Sequence, residues 1–73
     1  MTKLFPDDIA NLRLLGYIVT SKEGQTFVES DEFLVEEDFG RWFLFKSTGL
    51  DYKYYDEFAT VYQAIDYAKK VLK

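Results

Sequence analysis

Carboxylates are the most concentrated chemically active side chains in this chain. Six fall within ten residues, with no basic residue among them: Glu29, Asp31, Glu32, Glu36, Glu37 and Asp38. The whole chain has 9 Lys and Arg against 13 Asp and Glu, a net charge of −4, so the remainder is slightly basic. An acidic segment on such a body repels nucleic acid and attracts a basic protein surface.

The groups that most often perform catalysis or hold a metal are missing. The sequence has no histidine and no cysteine, which removes the commonest general base, the thiol nucleophile and the preferred zinc ligands. Acids that are adjacent along a strand point to opposite faces and cannot share a site. The glycines are dispersed singly, so there is no phosphate-cradling loop. We therefore predict a protein that is not an enzyme and binds no metal or cofactor.

Two hypotheses account for the acidic segment. Side chains two apart on a strand lie about 6.6–6.8 Å apart on one face, a spacing similar to that of successive phosphates in nucleic acid. Glu29 with Asp31, or Glu36 with Asp38, would then imitate a phosphate row and occupy the DNA-binding groove of another protein. The alternative is that acids on an edge strand prevent edge-to-edge aggregation.

Aromatic side chains form the second concentration, centred on the segment Arg41-Trp42-Phe43-Leu44-Phe45-Lys46. On a strand, Trp42 and Leu44 point to one face and Phe43 and Phe45 to the other, so both faces are apolar. Core packing is the expected role of Phe43 and Phe45. Trp42 and Tyr54 are the expected anchors for a protein partner, because Trp and Tyr are enriched in interfaces.

Two other uses of the aromatic side chains stay open. A homodimer would bury the aromatic face of the 41–47 strand against its own copy. Single-stranded nucleic acid would instead stack its bases on the rings, a use that the negative net charge disfavours.

The elements that position these side chains follow an α+β pattern: an antiparallel four- to five-stranded sheet, a short N-terminal helix and an amphipathic C-terminal helix. The first helix is predicted over 6–15, with Phe5, Ile9, Leu12 and Leu15 as its apolar stripe. Strands are predicted over 17–20, 26–29, 33–37 and 41–47, with a short edge strand over 52–55. Hairpin turns are predicted at 22–25 and 38–40.

The last helix is predicted from a capping box, Thr60 with Gln63 three residues on. Its apolar stripe then recurs at helical spacing, as Val61, Ala64, Ile65, Ala68, Val71 and Leu72.

Length and composition predict one globular domain over residues 1–73. The sequence is 48% hydrophobic and 30% charged, which is a globular composition. Residues 1–8 lack the apolar run of a signal peptide, and no stretch is long enough to span a membrane. We expect a cytoplasmic protein without membrane contact.

The stretch from Trp42 to Lys70 resembles a pattern in small phage and prophage proteins. There an aromatic sheet runs into a helix that opens as Phe58-Ala59-Thr60 does here and continues with an Ala-Ile-x-x-Ala stripe, here Ala64 to Ala68. The resemblance implies a mobile-element protein that modulates a host protein, as anti-restriction and anti-CRISPR proteins do.

The sequence therefore predicts a small acidic protein-interaction module that blocks or modulates a host cytosolic protein. The expected partner has a basic surface, such as that of a nucleic-acid-binding protein. The expected contacts are the six acids of residues 29–38 together with Trp42 and Tyr54.

Overall fold

Strands and tight turns alternate through the middle of the chain and fold it into one antiparallel sheet. The structure, a computed structural model, describes residues 4–71. Its elements are helix α1 (Pro6–Leu14), strands β1 (Ile18–Lys22), β2 (Gln25–Glu29), β3 (Phe33–Asp38), β4 (Arg41–Ser47) and β5 (Tyr52–Phe58), and helix α2 (Val61–Val71). Within the described residues the five strands pair in chain order. The α+β prediction is confirmed, with five strands.

Two hairpins turn through pairs of residues with positive φ. Glu23 and Gly24 have φ values of 52° and 81° between β1 and β2, and Phe39 and Gly40 have 49° and 78° between β3 and β4. Positive φ at both central residues is the type I′ geometry, whose twist matches that of the flanking strands. Both predicted turns are confirmed.

Strand β5 is longer than predicted, reaching Phe58 instead of Tyr55. Its pairing with β4 shifts between Leu44 and Phe45: Leu44 is opposite Asp56, whereas Phe45 is opposite Tyr54. Tyr55 is therefore the extra residue of a β-bulge. The charged residues beyond Tyr55 concealed the continuation of the strand, although charges are common on edge strands.

Helix α2 packs across β3, β4 and β5. The backbone N–H of Gln63 donates to the Thr60 hydroxyl at 3.2 Å, the N-terminal cap that the sequence predicts. Its buried side chains are Val61, Ala64, Ile65 and Ala68. Val71 is 43% exposed, and Leu72 lies outside the described residues.

Helix α1 has a smaller contact with the sheet than predicted. Leu12 is buried and Ile9 is partly buried against the core, but Phe5 is 73% and Leu15 66% exposed. The predicted stripe is wrong at these two positions because the helix ends at Leu14 and lies beside β1, at the edge of the sheet. Arg13 Nη2 also donates to the Val19 carbonyl oxygen of β1 at 2.9 Å, which satisfies one backbone acceptor of this edge strand.

The core lies on one face of the sheet. Leu12 of α1 and the buried side chains of α2 join Val19, Val28, Val35 and Leu44 in one cluster, so both helices cover the same face. Among residues 4–71 no helix covers the opposite face, which we call the open face. None of the described helices has the length and apolar character needed to cross a membrane.

Candidate functional site: the open face of the sheet

Two rows of side chains cross the open face. Directly paired residues of an antiparallel sheet point to the same side, so the strand register defines each row. The first row is Ile18, Glu29, Leu34, Phe45 and Tyr54, and the second is Thr20, Phe27, Glu36, Phe43 and Glu57. The open face is thus a mixed apolar and acidic surface that spans all five strands.

The apolar side chains of the open face partly cover one another. Phe43 and Phe45 are each half-buried, although no described helix lies above them. Their rings contact that of Tyr54, with centroid distances of 6.2 Å from Phe43 and 5.7 Å from Phe45. Tyr54 itself is 52% exposed. These lateral contacts cover part of each ring, while Phe43 and Phe45 remain partly accessible to solvent.

Glu36 lies between two of these aromatic side chains. It is opposite Phe27 on one side and opposite Phe43 on the other. The Cβ atoms of residues paired in this way are about 4.5–5.5 Å apart. Desolvation by these surroundings raises the pKa of the Glu36 carboxyl, and the nearby charge of Asp38 raises it further. The ionised form of Glu36 is therefore less favourable here than in water.

Acidic groups outnumber basic ones on the open face. The strand register places Lys22 and Arg41 there, together with Glu29, Glu36, Asp38 and Glu57. Arg41 is 3.7 Å from the Glu57 carboxylate, an exposed pair at the rim that solvent screens strongly. The face consequently carries a negative charge that a basic partner would complement.

The structure separates the six predicted acids into three groups. Glu29, Glu36 and Asp38 lie on the open face, whereas Asp31 and Glu32 are exposed in the bend between β2 and β3. A groove of about 350 Å³ places Glu29 beside Asp31 and Glu32, with Leu15, Tyr17 and Ile18 also along its walls. Of the two proposed phosphate-like pairs, Glu36 and Asp38 share a strand and a face, but Asp31 lies beyond the end of β2.

Glu37 forms the third group, because it points to the helix-covered face. Its side chain is 9% exposed, and its carboxylate accepts a hydrogen bond from the Gly40 backbone N–H at 3.2 Å. Glu37, predicted to contact a partner, therefore lies away from the open face, with its carboxylate bonded within the β3–β4 hairpin. The edge-strand hypothesis is wrong for this segment, because β2 and β3 are interior strands.

The structure decides which face of the aromatic strand β4 is covered, a question that the sequence left open. Trp42, predicted as a partner anchor, is 1% exposed and belongs to the core, so its side chain is not accessible from the surface in this structure. Phe43 and Phe45, predicted to be core residues, lie on the open face. The burial of Trp42 and the position of Phe43 and Phe45 on the open face have one cause: both helices pack on the Trp42 side of the sheet. Tyr54 lies on the open face, where its predicted contact with a partner stays a prediction.

Sequence reasoning missed five apolar residues of the open face: Ile18, Phe27, Leu34, Phe43 and Phe45. The period-2 alternation of each strand places these residues on one side, and that signal was present in the sequence. Because the alternate positions are equally apolar, the pattern did not indicate which side the helices cover.

Among residues 4–71, no group of three acidic side chains is arranged to hold a metal ion. A family model described as a family of unknown function (DUF5495) matches residues 6–73. No curated protein and no solved structure matches the chain.

Proposed function

We propose that this chain, which belongs to DUF5495, a family of unknown function, is a non-enzymatic protein-interaction module. Its open face binds a basic partner protein. The observation that carries this proposal is the five-stranded surface on which Phe27, Phe43, Phe45 and Tyr54 remain without a covering layer. Soluble proteins rarely expose large contiguous apolar patches without a binding role.

The composition of the open face supports a protein partner. Aromatic side chains provide large contact areas at low cost in conformational entropy, and they are enriched where interfaces are most strongly bound. The lateral contacts of Tyr54 with Phe43 and Phe45 reduce the entropy that binding would still have to remove.

Charge supports a basic partner. Glu29, Glu36 and Asp38 lie among or beside the apolar side chains, and Asp31 and Glu32 extend the acidic character into the adjoining groove. Such an arrangement accelerates association with a positive surface and disfavours negative ones. Inhibition would follow if the bound surface were the one that the partner uses for its own anionic ligand. Modulation of a host protein, with a phage or prophage origin, stays a prediction from the resemblance.

A homodimer through the same face would bring like charges together, whereas a basic partner would bring opposite charges. Two copies placed face to face would each contribute Glu29, Glu36 and Asp38, and burial of Glu36 against like charges is unfavourable. Sedimentation from low to high protein concentration tests this alternative. A monomer throughout the range eliminates it, whereas a concentration-dependent dimer that Phe43→Ser abolishes would replace our proposal.

The experiment that tests the proposal compares two double variants with the wild type as affinity baits in bacterial lysate. Phe43→Ser with Phe45→Ser removes two rings from the open face. Leu14→Ser with Leu50→Ser is the matched control, because these two side chains are 85% and 102% exposed and lie outside the open face. Proteins retained by each bait are quantified by mass spectrometry, and the dissociation constant of each purified candidate is then measured.

We expect a basic protein that the wild type and the control variant bind with similar affinity. The open-face variant should bind it at least about tenfold more weakly, since an aromatic anchor contributes more than about 1.4 kcal/mol. Equal binding by both double variants would contradict the proposal, provided that their circular dichroism spectra match that of the wild type.

A further inference from the structure

We infer that the open face recognises an arginine side chain of its partner, which Glu36 binds between the rings of Phe27 and Phe43. This inference rests on the proposed function and specifies the chemistry of the partner. The strand register carries it, because Phe27, Glu36 and Phe43 are consecutive members of one cross-strand row.

The row forms a slot with a carboxylate at its centre. Directly paired side chains have Cβ atoms about 4.5–5.5 Å apart, so Phe27 and Phe43 leave the sheet at about that distance on either side of Glu36. All three side chains are half-buried. A planar cation that approaches from solvent would meet the carboxylate with an aromatic ring on each side.

Glu36 has no cation of its own. Among residues 4–71 its side chain forms no hydrogen bond or ion pair, while Arg41, the nearest cation in the strand register, is paired with Glu57 at 3.7 Å. The other charged groups on the same face are Glu29, Asp38 and the more distant Lys22 at the β1–β2 turn. The acids add to the attraction for a cation supplied by a partner.

The geometry favours arginine over lysine. A guanidinium group is planar, forms two parallel hydrogen bonds with a carboxylate and stacks on aromatic rings. Its weaker hydration also lowers the cost of bringing it onto an apolar surface. A lysine ammonium group would gain the charge attraction and a cation–π contact, but it cannot form the paired hydrogen bonds.

The cost of Glu36 to the free protein is consistent with a binding role. Burial raises the pKa of its carboxyl, so its charge opposes folding at neutral pH. A residue that lowers stability at a surface suited to binding is typical of the trade-off between stability and function. A bound guanidinium would compensate for this unfavourable charge.

The test uses three nine-residue peptides that are identical except at the central position, which is arginine, lysine or citrulline between two leucines. Each is titrated into the full chain, and backbone amide chemical shifts are followed by NMR. The variants are Glu36→Gln and, as the matched control, Asp66→Asn, which removes an exposed carboxylate from α2 on the opposite layer.

We expect the wild type and Asp66→Asn to bind the arginine peptide about tenfold more tightly than the citrulline peptide. The preference over lysine should be about threefold or more. The largest shifts should fall on Phe27, Glu36 and Phe43. Glu36→Gln should bind the arginine and citrulline peptides with similar affinity.

Two failures are distinguishable. If all three peptides shift the open face with equal affinity, arginine recognition is overturned while the proposed function stands. If no peptide shifts any open-face amide, both this inference and a peptide-binding role for the open face are overturned. A third variant, Phe43→Leu, keeps the site apolar and should reduce the preference for arginine over lysine; an unchanged preference would overturn the stacking role of the ring.

Discussion

The hydroxyl of Tyr62 in α2 donates a hydrogen bond to the Asp8 carboxylate in α1 at 2.7 Å, joining residues 54 apart in sequence. Both helices lie on the covered face of the sheet, and this bond connects them directly. The bond to Asp8 is also the main cause of the raised pKa of the Tyr62 hydroxyl, since it is lost when the phenol ionises.

Replacement of Tyr62 by phenylalanine tests the contribution of this bond. Because the pair is partly exposed, we expect Tyr62→Phe to lower the free energy of unfolding by about 0.5–1 kcal/mol. Urea denaturation measures the change, and Tyr52→Phe is the control, since its hydroxyl has no hydrogen-bond partner among residues 4–71. Equal losses in both variants would mean that the Asp8 bond adds nothing to stability.

The same bond predicts a dependence on alkaline pH. The folded-state pKa of Tyr62 is above the ordinary value of 10.0, so its contribution is fully present below pH 10 and is lost as pH rises through the raised value. The stability difference between wild type and Tyr62→Phe should therefore shrink above pH 10. A difference that stays constant through that range would exclude the linkage.

Neighbouring residues of β4 should differ sharply in their effect on stability. Leu44 is 0% exposed in the core, and we expect Leu44→Ala to cost about 2–5 kcal/mol. Phe45 is half-buried on the open face, so Phe45→Ala should cost only about 1 kcal/mol despite its larger side chain. Urea denaturation followed by Trp42 fluorescence measures both; a larger loss for Phe45→Ala would contradict the assignment of the two faces.

Glu36→Gln should stabilise the free protein at neutral pH. A carboxyl whose folded-state pKa is raised above 4.5 binds more protons folded than unfolded, so stability falls as pH rises from the unfolded pKa through the folded one. Removing the charge abolishes this fall. We expect a gain of about 0.5 kcal/mol or less at pH 7, and no gain at pH 3, where the wild-type carboxyl is protonated. Thermal denaturation of the wild type and Glu36→Gln at the two pH values measures this difference. A loss of stability in Glu36→Gln at pH 7 would show that the charge is favourable.

Phe39 is strained at the tip of the β3–β4 hairpin. Its φ is 49° and its side chain is 94% exposed, so it has the left-handed cost of a non-glycine residue without any packing in return. Asn tolerates this conformation and is preferred in type I′ turns. We expect Phe39→Asn to raise the free energy of unfolding by about 0.5–1 kcal/mol, measured by urea denaturation. Gly40→Ala should lower the free energy of unfolding, because φ is 78° at this position although no atom lies near the added Cβ. A loss of stability in both variants would argue that the Phe39 ring contributes to the native state.

Local patterns in the sequence determined most of the fold. Gly24 and Gly40 marked the two hairpin turns because a type I′ turn requires positive φ. Thr60 with Gln63 marked the start of α2, and Ala64 and Ala68 marked its buried stripe. These signals are local, in that each depends on a few residues and on backbone geometry that tertiary packing does not change.

Local patterns did not determine the length of β5 or the packing of α1. The bulge at Tyr55 depends on the register with β4, and the exposure of Phe5 and Leu15 depends on where α1 lies beside β1. Neither the pairing partner of a strand nor the position of a short helix is encoded in the periodicity of its own residues.

By itself, the sequence determined that β4 has two apolar faces, with Trp42 and Leu44 on one and Phe43 and Phe45 on the other, because side-chain alternation is a property of any strand. Only the tertiary structure decided which of these faces is open. Both helices pack on the Trp42 side, where the small side chains Ala64 and Ala68 allow close approach to the sheet. That choice buried Trp42 and Glu37 and placed Glu36 between Phe27 and Phe43. The candidate site is thus a consequence of layer packing, which no single segment of the chain specifies.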